Sequence, residues 1–131
     1  MNKSENKERA KEPEDLSRFF LERANAGDVE GVVALYEPDA VLVGPGGLLI
    51  TGTQALRQAY TQLFSRKPTF EGETQVAIRN GELALTSTQF TTSGVSPDGK
   101  PMTMKTATTE VVRRQPDGTW LWLIDQPNVL R

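Results

Sequence analysis

The chain has 131 residues, 37% of them hydrophobic and 24% charged, with a formal net charge of −2; that is enough for one domain with its own core and short for two. It contains no cysteine and no histidine, which excludes disulfides, thiolate nucleophiles, Cys-based zinc sites, the Ser-His-Asp relay and most transition-metal sites. Any proton transfer must use carboxylates, tyrosine, lysine or water; no metal or cofactor is expected, and the charge balance offers no broad positive field for nucleic acid.

The first 13 residues, MNKSENKERAKEP, alternate in charge and carry almost nothing apolar, so a disordered arm is expected ahead of a single domain over 14–131. There is no secretory h-region and no run near the roughly 18 apolar residues of a membrane span, so a cytoplasmic protein without membrane association is expected. From Asp15, which is placed to cap it, Leu16, Phe19, Phe20 and Ala24 recur at helical spacing, and Gly27 ends that helix. Asp28 then stands where an N-cap belongs, and Val29, Val32, Val33 and Tyr36 form the stripe of a short second helix that Pro38 stops.

Ala40 to Val43, a turn at Gly44-Pro45-Gly46-Gly47, and Leu48 to Thr51 predict a small hairpin. That glycine-rich turn lacks the G-x-x-x-x-G-K-[ST] and G-x-G-x-x-G patterns of phosphate loops. A third helix opens at Gly52-Thr53, with Leu56, Tyr60, Leu63 and Phe64 on one face and Pro68 at its end. Beyond it the period becomes two: a strand over Phe70 to Ile78, the hairpin signal Asn80-Gly81, a strand over Leu83 to Thr92, a long Thr-rich strand over Met102 to Arg114, and a last strand over Thr119 to Asp125. Helices followed by an antiparallel meander predict an α+β fold. Strict alternation groups Met102, Met104, Thr106, Thr108, Glu110 and Val112 on one face of the long strand. It also groups Trp120, Trp122 and Ile124 against Leu121, Leu123 and Asp125 on the last. Both faces of that last strand are apolar, and the helices cover only one, so a second subunit is expected on the other, through Trp120 and Trp122.

NAGDVEGVVALYEPDAVL, then GTQALRQAY, then a meander ending in WLWLID, resembles the nuclear-transport-factor-2-like superfamily, in its SnoaL-like and ketosteroid-isomerase-like branch, over about residues 16 to 127. The resemblance implies a cone-shaped, cystatin-like α+β domain, three N-terminal helices packed on a curved, mainly antiparallel sheet around an apolar pocket, often as a dimer. It implies a small hydrophobic molecule as partner, but not one reaction, because the scaffold hosts isomerases, cyclases, dehydratases and assembly domains. Residue by residue, the isomerase base falls at Gly44 and the oxyanion-donating tyrosine at Phe20, neither of which supplies the group. The second donor, a carboxylic acid kept neutral by its surroundings, falls near Glu110, and the supporting tyrosine at Tyr60. Steroid isomerisation is therefore not expected.

The catalytic candidates are Glu110, Asp125 and Tyr60. If the two carboxyls share the inward side of adjacent strands, one holds a raised pKa and can move protons near neutrality. The alternative has Asp125 capping the sheet's end in water and Glu110 paired with an arginine. Tyr60 either offers its hydroxyl to a ligand or fills the core. Phe20, Tyr36, Val43 and Phe64, with Phe90, Met102, Met104 and Leu123, are expected to line the pocket, and Arg57 either steers an anion or is solvated. A hydrophobic carbonyl compound under isomerase, cyclase or hydratase-type chemistry is one reading, and a non-catalytic binding or dimerisation domain the other.

Overall fold

The computed structural model describes residues 8–127. In chain order it holds α1 (Asp15–Asn25), α2 (Val29–Val33), β1 (Tyr36–Val43), a turn of 3-10 helix at Pro45–Gly47, β2 (Leu49–Thr51), α3 (Thr53–Phe64), β3 (Thr69–Asn80), β4 (Leu83–Val95), β5 (Pro101–Ala107), β6 (Thr109–Arg114) and β7 (Trp120–Gln126). The strands form one sheet in the order β2-β1-β7-β6-β4-β3, with β5 paired to β4 beyond the end of β6. All pairings are antiparallel except β1 with β7. The fold is thus α+β, three helices against a mainly antiparallel sheet. No helix among the described residues is long and apolar enough to cross a membrane.

Leu16, Phe19, Phe20 and Ala24 of α1 are buried, the face their spacing marks out. Gly27 turns the chain at a φ of 69°, which a side chain would resist. Asp28 accepts a hydrogen bond from the Gly31 amide at 3.0 Å and so starts α2. That helix is shorter than its apolar stripe predicts. Tyr36 is not its last rung but the first residue of β1, paired with Trp122, while the Trp122 amide donates to Leu35. Strand pairing captures the chain two residues before Pro38. The proline, which has no amide hydrogen, sits in the irregular stretch where β1 leaves its register with β7.

The long Thr-rich strand is interrupted at Thr108, where the Thr88 amide donates to the threonine hydroxyl oxygen at 3.0 Å. The register with β4 is the same on both sides, Gln89 opposite Ala107 and Thr86 opposite Glu110, so the predicted face from Met102 to Val112 survives the break. In β7 it does not. Val111 pairs with Ile124 and Val112 with Trp122, which leaves Leu123 as a bulge. A bulge inserts one residue, so side chains beyond it change face. Asp125 therefore comes onto the inner side with Trp120 and Trp122, and Ile124 turns outward.

This overturns the assignment of Trp120 and Trp122 to an outer, subunit-facing surface. They are 1% and 2% exposed, buried within the chain itself. Trp120 takes Ala10 as a bridge partner and lies under the Arg79 guanidinium, 4.9 Å from the ring centroid. The expected disordered arm over 1–13 also changes: Ala10 is buried, and Glu8 accepts from Arg23, so residues 8–13 pack on the domain. Residues 1–7 lie outside the described ones. The core centres on Phe20, whose ring meets Tyr60, Phe70, Phe90 and Trp122 at centroid distances of 5.5–6.2 Å.

Candidate functional site

Between the helices and the inner sheet face lies a cavity of about 690 Å³, within the size range of small-molecule sites. Its walls are mostly apolar. α1 supplies Phe20, α3 supplies Tyr60 and Leu63, and the sheet supplies Phe70, Phe90 and Trp122. Glu110 and Asp125 line it too, and both are buried, 2% and 6% exposed. Leu48, Val95, Met102 and Met104, also lining residues, are exposed and surround its open end.

Glu110 and Asp125 face each other as register partners on β6 and β7, an arrangement that brings side chains within reach across the sheet. The Thr86 hydroxyl donates to Glu110 Oε1 at 2.7 Å. The Thr108 hydroxyl, whose oxygen accepts the Thr88 amide, acts on the Glu110 carboxyl against the effect of its burial. On the other side, the Tyr36 hydroxyl donates to Asp125 Oδ2 at 2.6 Å and lies 2.5 Å from the Tyr60 hydroxyl. A hydroxyl has one proton to give. Since Tyr36 gives its own to Asp125, Tyr60 must be the donor in the pair of tyrosines. The other oxygen of Asp125, Oδ1, is buried with no hydrogen-bond partner among the described residues.

Burial, reinforced by the Asp125 charge, pushes the Glu110 carboxyl up to about 8. Burial pushes Asp125 up to about 6, against the opposing hydrogen bond from Tyr36. The asymmetry has a clear cause: Asp125 holds a phenol that favours its ionised form, and Glu110 feels the resulting charge. Both carboxyls are thus held above the ordinary carboxylate range, Glu110 by burial and the neighbouring charge together. Burial first, and then Asp125's charge, raise both tyrosines above the ordinary phenol value, so both stay neutral.

The alternative in which Asp125 caps the sheet's end in water does not hold, nor does an arginine partner for Glu110. Phe20, Val43, Phe90, Met102 and Met104 line the cavity with Tyr60, Glu110 and Asp125. Three expected lining residues do not: Tyr36 lies behind the wall as Asp125's partner, Phe64 is buried against Tyr60 and Phe70, and Leu123 is the bulge. Gly44 lines the cavity with backbone alone. Arg57 is taken by Glu30 in a two-pronged ion pair with contacts of 2.6 and 3.0 Å. Among the described residues no group of three or more carboxylates is placed to hold a metal ion. Thr86 and Thr108 are the site residues left unassigned by sequence reasoning, whereas Trp122 was expected on the outer face and Tyr36 on the cavity wall. The threonines were signalled by their inward alternation, whereas the role of Tyr36 had no signal, being masked by the helical stripe.

None of the curated proteins matches the chain significantly. Among solved structures, the chain is similar to a ketosteroid isomerase-like protein from Erwinia carotovora atroseptica, with a TM-score of 0.73, 19% identity, and coverage of 90% of this chain and 94% of that one. It is similar to an NTF2-like protein with a cystatin-like fold from Novosphingobium aromaticivorans, with a TM-score of 0.75 and 18% identity over 91% and 80% of the chains. A candidate calcium/calmodulin-dependent protein kinase type II association domain from Thiobacillus denitrificans gives a TM-score of 0.77 and 16% identity over 95% and 100%. At these identities the likeness shows the cystatin-like, NTF2-like fold. The model of the SnoaL-like domain matches residues 17–122, and the chain belongs to that family.

Proposed function

We propose that the cavity binds a small hydrophobic carbonyl compound and that Asp125 and Glu110 act on it as base and acid. The observation that carries this is the buried pair on one cavity wall, with Asp125 Oδ1 left without a partner. Ionised Asp125 takes a proton from the carbon next to the carbonyl, and protonated Glu110 gives its proton to the carbonyl oxygen, forming an enol. Where a carbon–carbon double bond is conjugated to the enol, protonated Asp125 returns its proton to the far carbon as the enol O–H goes back to Glu110, which shifts the double bond. Attack of the enol carbon on an internal carbonyl cyclises the compound, Asp125 protonating the new oxyanion and Glu110 taking the enol proton. Tyr60 is a positioning residue in this scheme, because its proton goes to Tyr36. The steroid-isomerase arrangement is not part of the reading, since positions 44 and 20 supply neither base nor donor.

The test uses methyl nonyl ketone in heavy water, following loss of its α-proton NMR signals with wild type and Asp125→Asn. Exchange that the wild type accelerates and the variant does not supports the reading, whereas equal rates would remove Asp125 as the base. The second reading, a non-catalytic binding domain, is favoured by the apolar residues at positions 20 and 44. Native mass spectrometry of protein from its own host, showing a bound small molecule without exchange activity, would select it.

We also propose a cytoplasmic homodimer, through the sheet face away from the helices. There Ile78, Leu85, Val111 and Ile124 pair in one row across β3, β4, β6 and β7, and Ile78 is 60% exposed. Sedimentation at micromolar concentration should give a dimer for the wild type and a monomer for Leu85→Lys; a wild-type monomer would contradict it.

A further inference from the structure

The charged residues that line the cavity differ in burial according to their sign. Glu110 and Asp125, the acidic ones, are buried. Among the described lining residues Arg66 is the single cation, and it is exposed, just past the end of α3. No carboxylate pairs with it among the described residues, unlike Arg57, Arg79, Arg113 and Arg114, each of which holds one. The segment that carries it reinforces the sign: between Asp39 and Glu71 there is no acidic residue, while Arg57, Arg66 and Lys67 fall there. The same cavity is lined by the rings of Phe20, Phe70, Phe90 and Trp122.

A molecule filling this space meets repulsion if it carries a negative charge beside the buried carboxyls, and attraction if the charge sits beside Arg66. We infer that the site takes an amphipathic molecule with an anionic head group, the head on Arg66, the apolar body along the aromatic wall, and the reacting oxygen at Asp125 and Glu110. This rests on the ligand-pocket reading above and adds the ligand's charge and its direction of entry. Arg66 is then a specificity residue, not a catalytic one.

The experiment compares dodecanoate with its methyl ester, two probes that differ only in the head. Binding is read from tryptophan fluorescence, since Trp122 lines the cavity, and repeated by calorimetry. The wild type should bind the acid about three- to tenfold more tightly than the ester, the size expected of an exposed charge-assisted contact. Arg66→Gln should bring the acid down to the ester, while Arg57→Gln, already engaged by Glu30, keeps the preference. Equal binding of acid and ester by the wild type, or a preference that survives Arg66→Gln, would overturn the assignment and leave the pocket intact. Failure of both probes to bind would overturn the ligand-pocket reading as well.

Discussion

Glu110→Gln is expected to make the protein more stable at neutral pH. The folded carboxyl is raised from its ordinary 4.5 to about 8, so the folded state binds the proton more tightly than the unfolded one. Stability on this account is fully present below about pH 4.5 and is lost as pH rises toward 8. At pH 7 the unfolded glutamate is ionised and must take up a proton to fold, at a cost of about 3 kcal/mol, since each unit of separation is worth about 1.4 kcal/mol. Glutamine has no such cost. Its carbonyl oxygen replaces the acceptor of the Thr86 hydroxyl, and its amide faces Asp125, whose Oδ1 has no partner. Urea unfolding at fixed protein concentration checks this at pH 5 and pH 7. The variant should be about 3 kcal/mol more stable at pH 7 and within about 1 kcal/mol of wild type at pH 5, with an unchanged m-value. A variant less stable at both pH values, or offset equally at both, would show that Glu110 is not a buried acid.

Tyr36→Phe removes the phenol that donates to Asp125, so the Asp125 carboxyl should titrate higher than in wild type, measured by carbon NMR of the side-chain carboxyls. It also strands the Tyr60 hydroxyl in a buried position, a loss of about 1–3 kcal/mol readable by urea unfolding. Gly72→Ala places a Cβ 2.5 Å from the Phe90 ring and 2.7 Å from the Gln89 carbonyl oxygen. Backbone cannot give way as a flexible side chain does, so the variant should lose about 1–3 kcal/mol in the same assay.

Most of the scaffold was legible because it depends on local patterning. The apolar face of α1, the Asn80-Gly81 hairpin and the long run from Met102 to Val112 each follow from a period that nothing interrupts in side-chain direction. Glu110 was legible for that reason: the break at Thr108 changes a hydrogen bond and not the register. The face that Asp125 shares with the tryptophans depends on a single extra residue. Strict alternation along WLWLID sets Asp125 against the tryptophans, and only pairing with β6 shows that Leu123 is skipped. The skip brings the tryptophans onto the inner face that alternation already gave Asp125, with Ile124 outward as expected, so one unpredicted bulge accounts for the misplaced subunit face. Tyr36 failed differently. Its spacing from Val29 fits a helix well, but a five-residue α2 has little intrinsic stability, and pairing with Trp122 outweighs another turn.

The coupling of Glu110 to Asp125 is the centre of this account, and carbon NMR titration of the aspartate and glutamate carboxyls tests it most directly. The wild type should show two carboxyls set apart from the rest, Asp125 near pH 6 and Glu110 near pH 8, and Asp125→Asn should move Glu110 downward. A Glu110 carboxyl that titrates in the ordinary range, or one that Asp125→Asn leaves unmoved, would contradict the assignment of these residues as a proton-sharing pair.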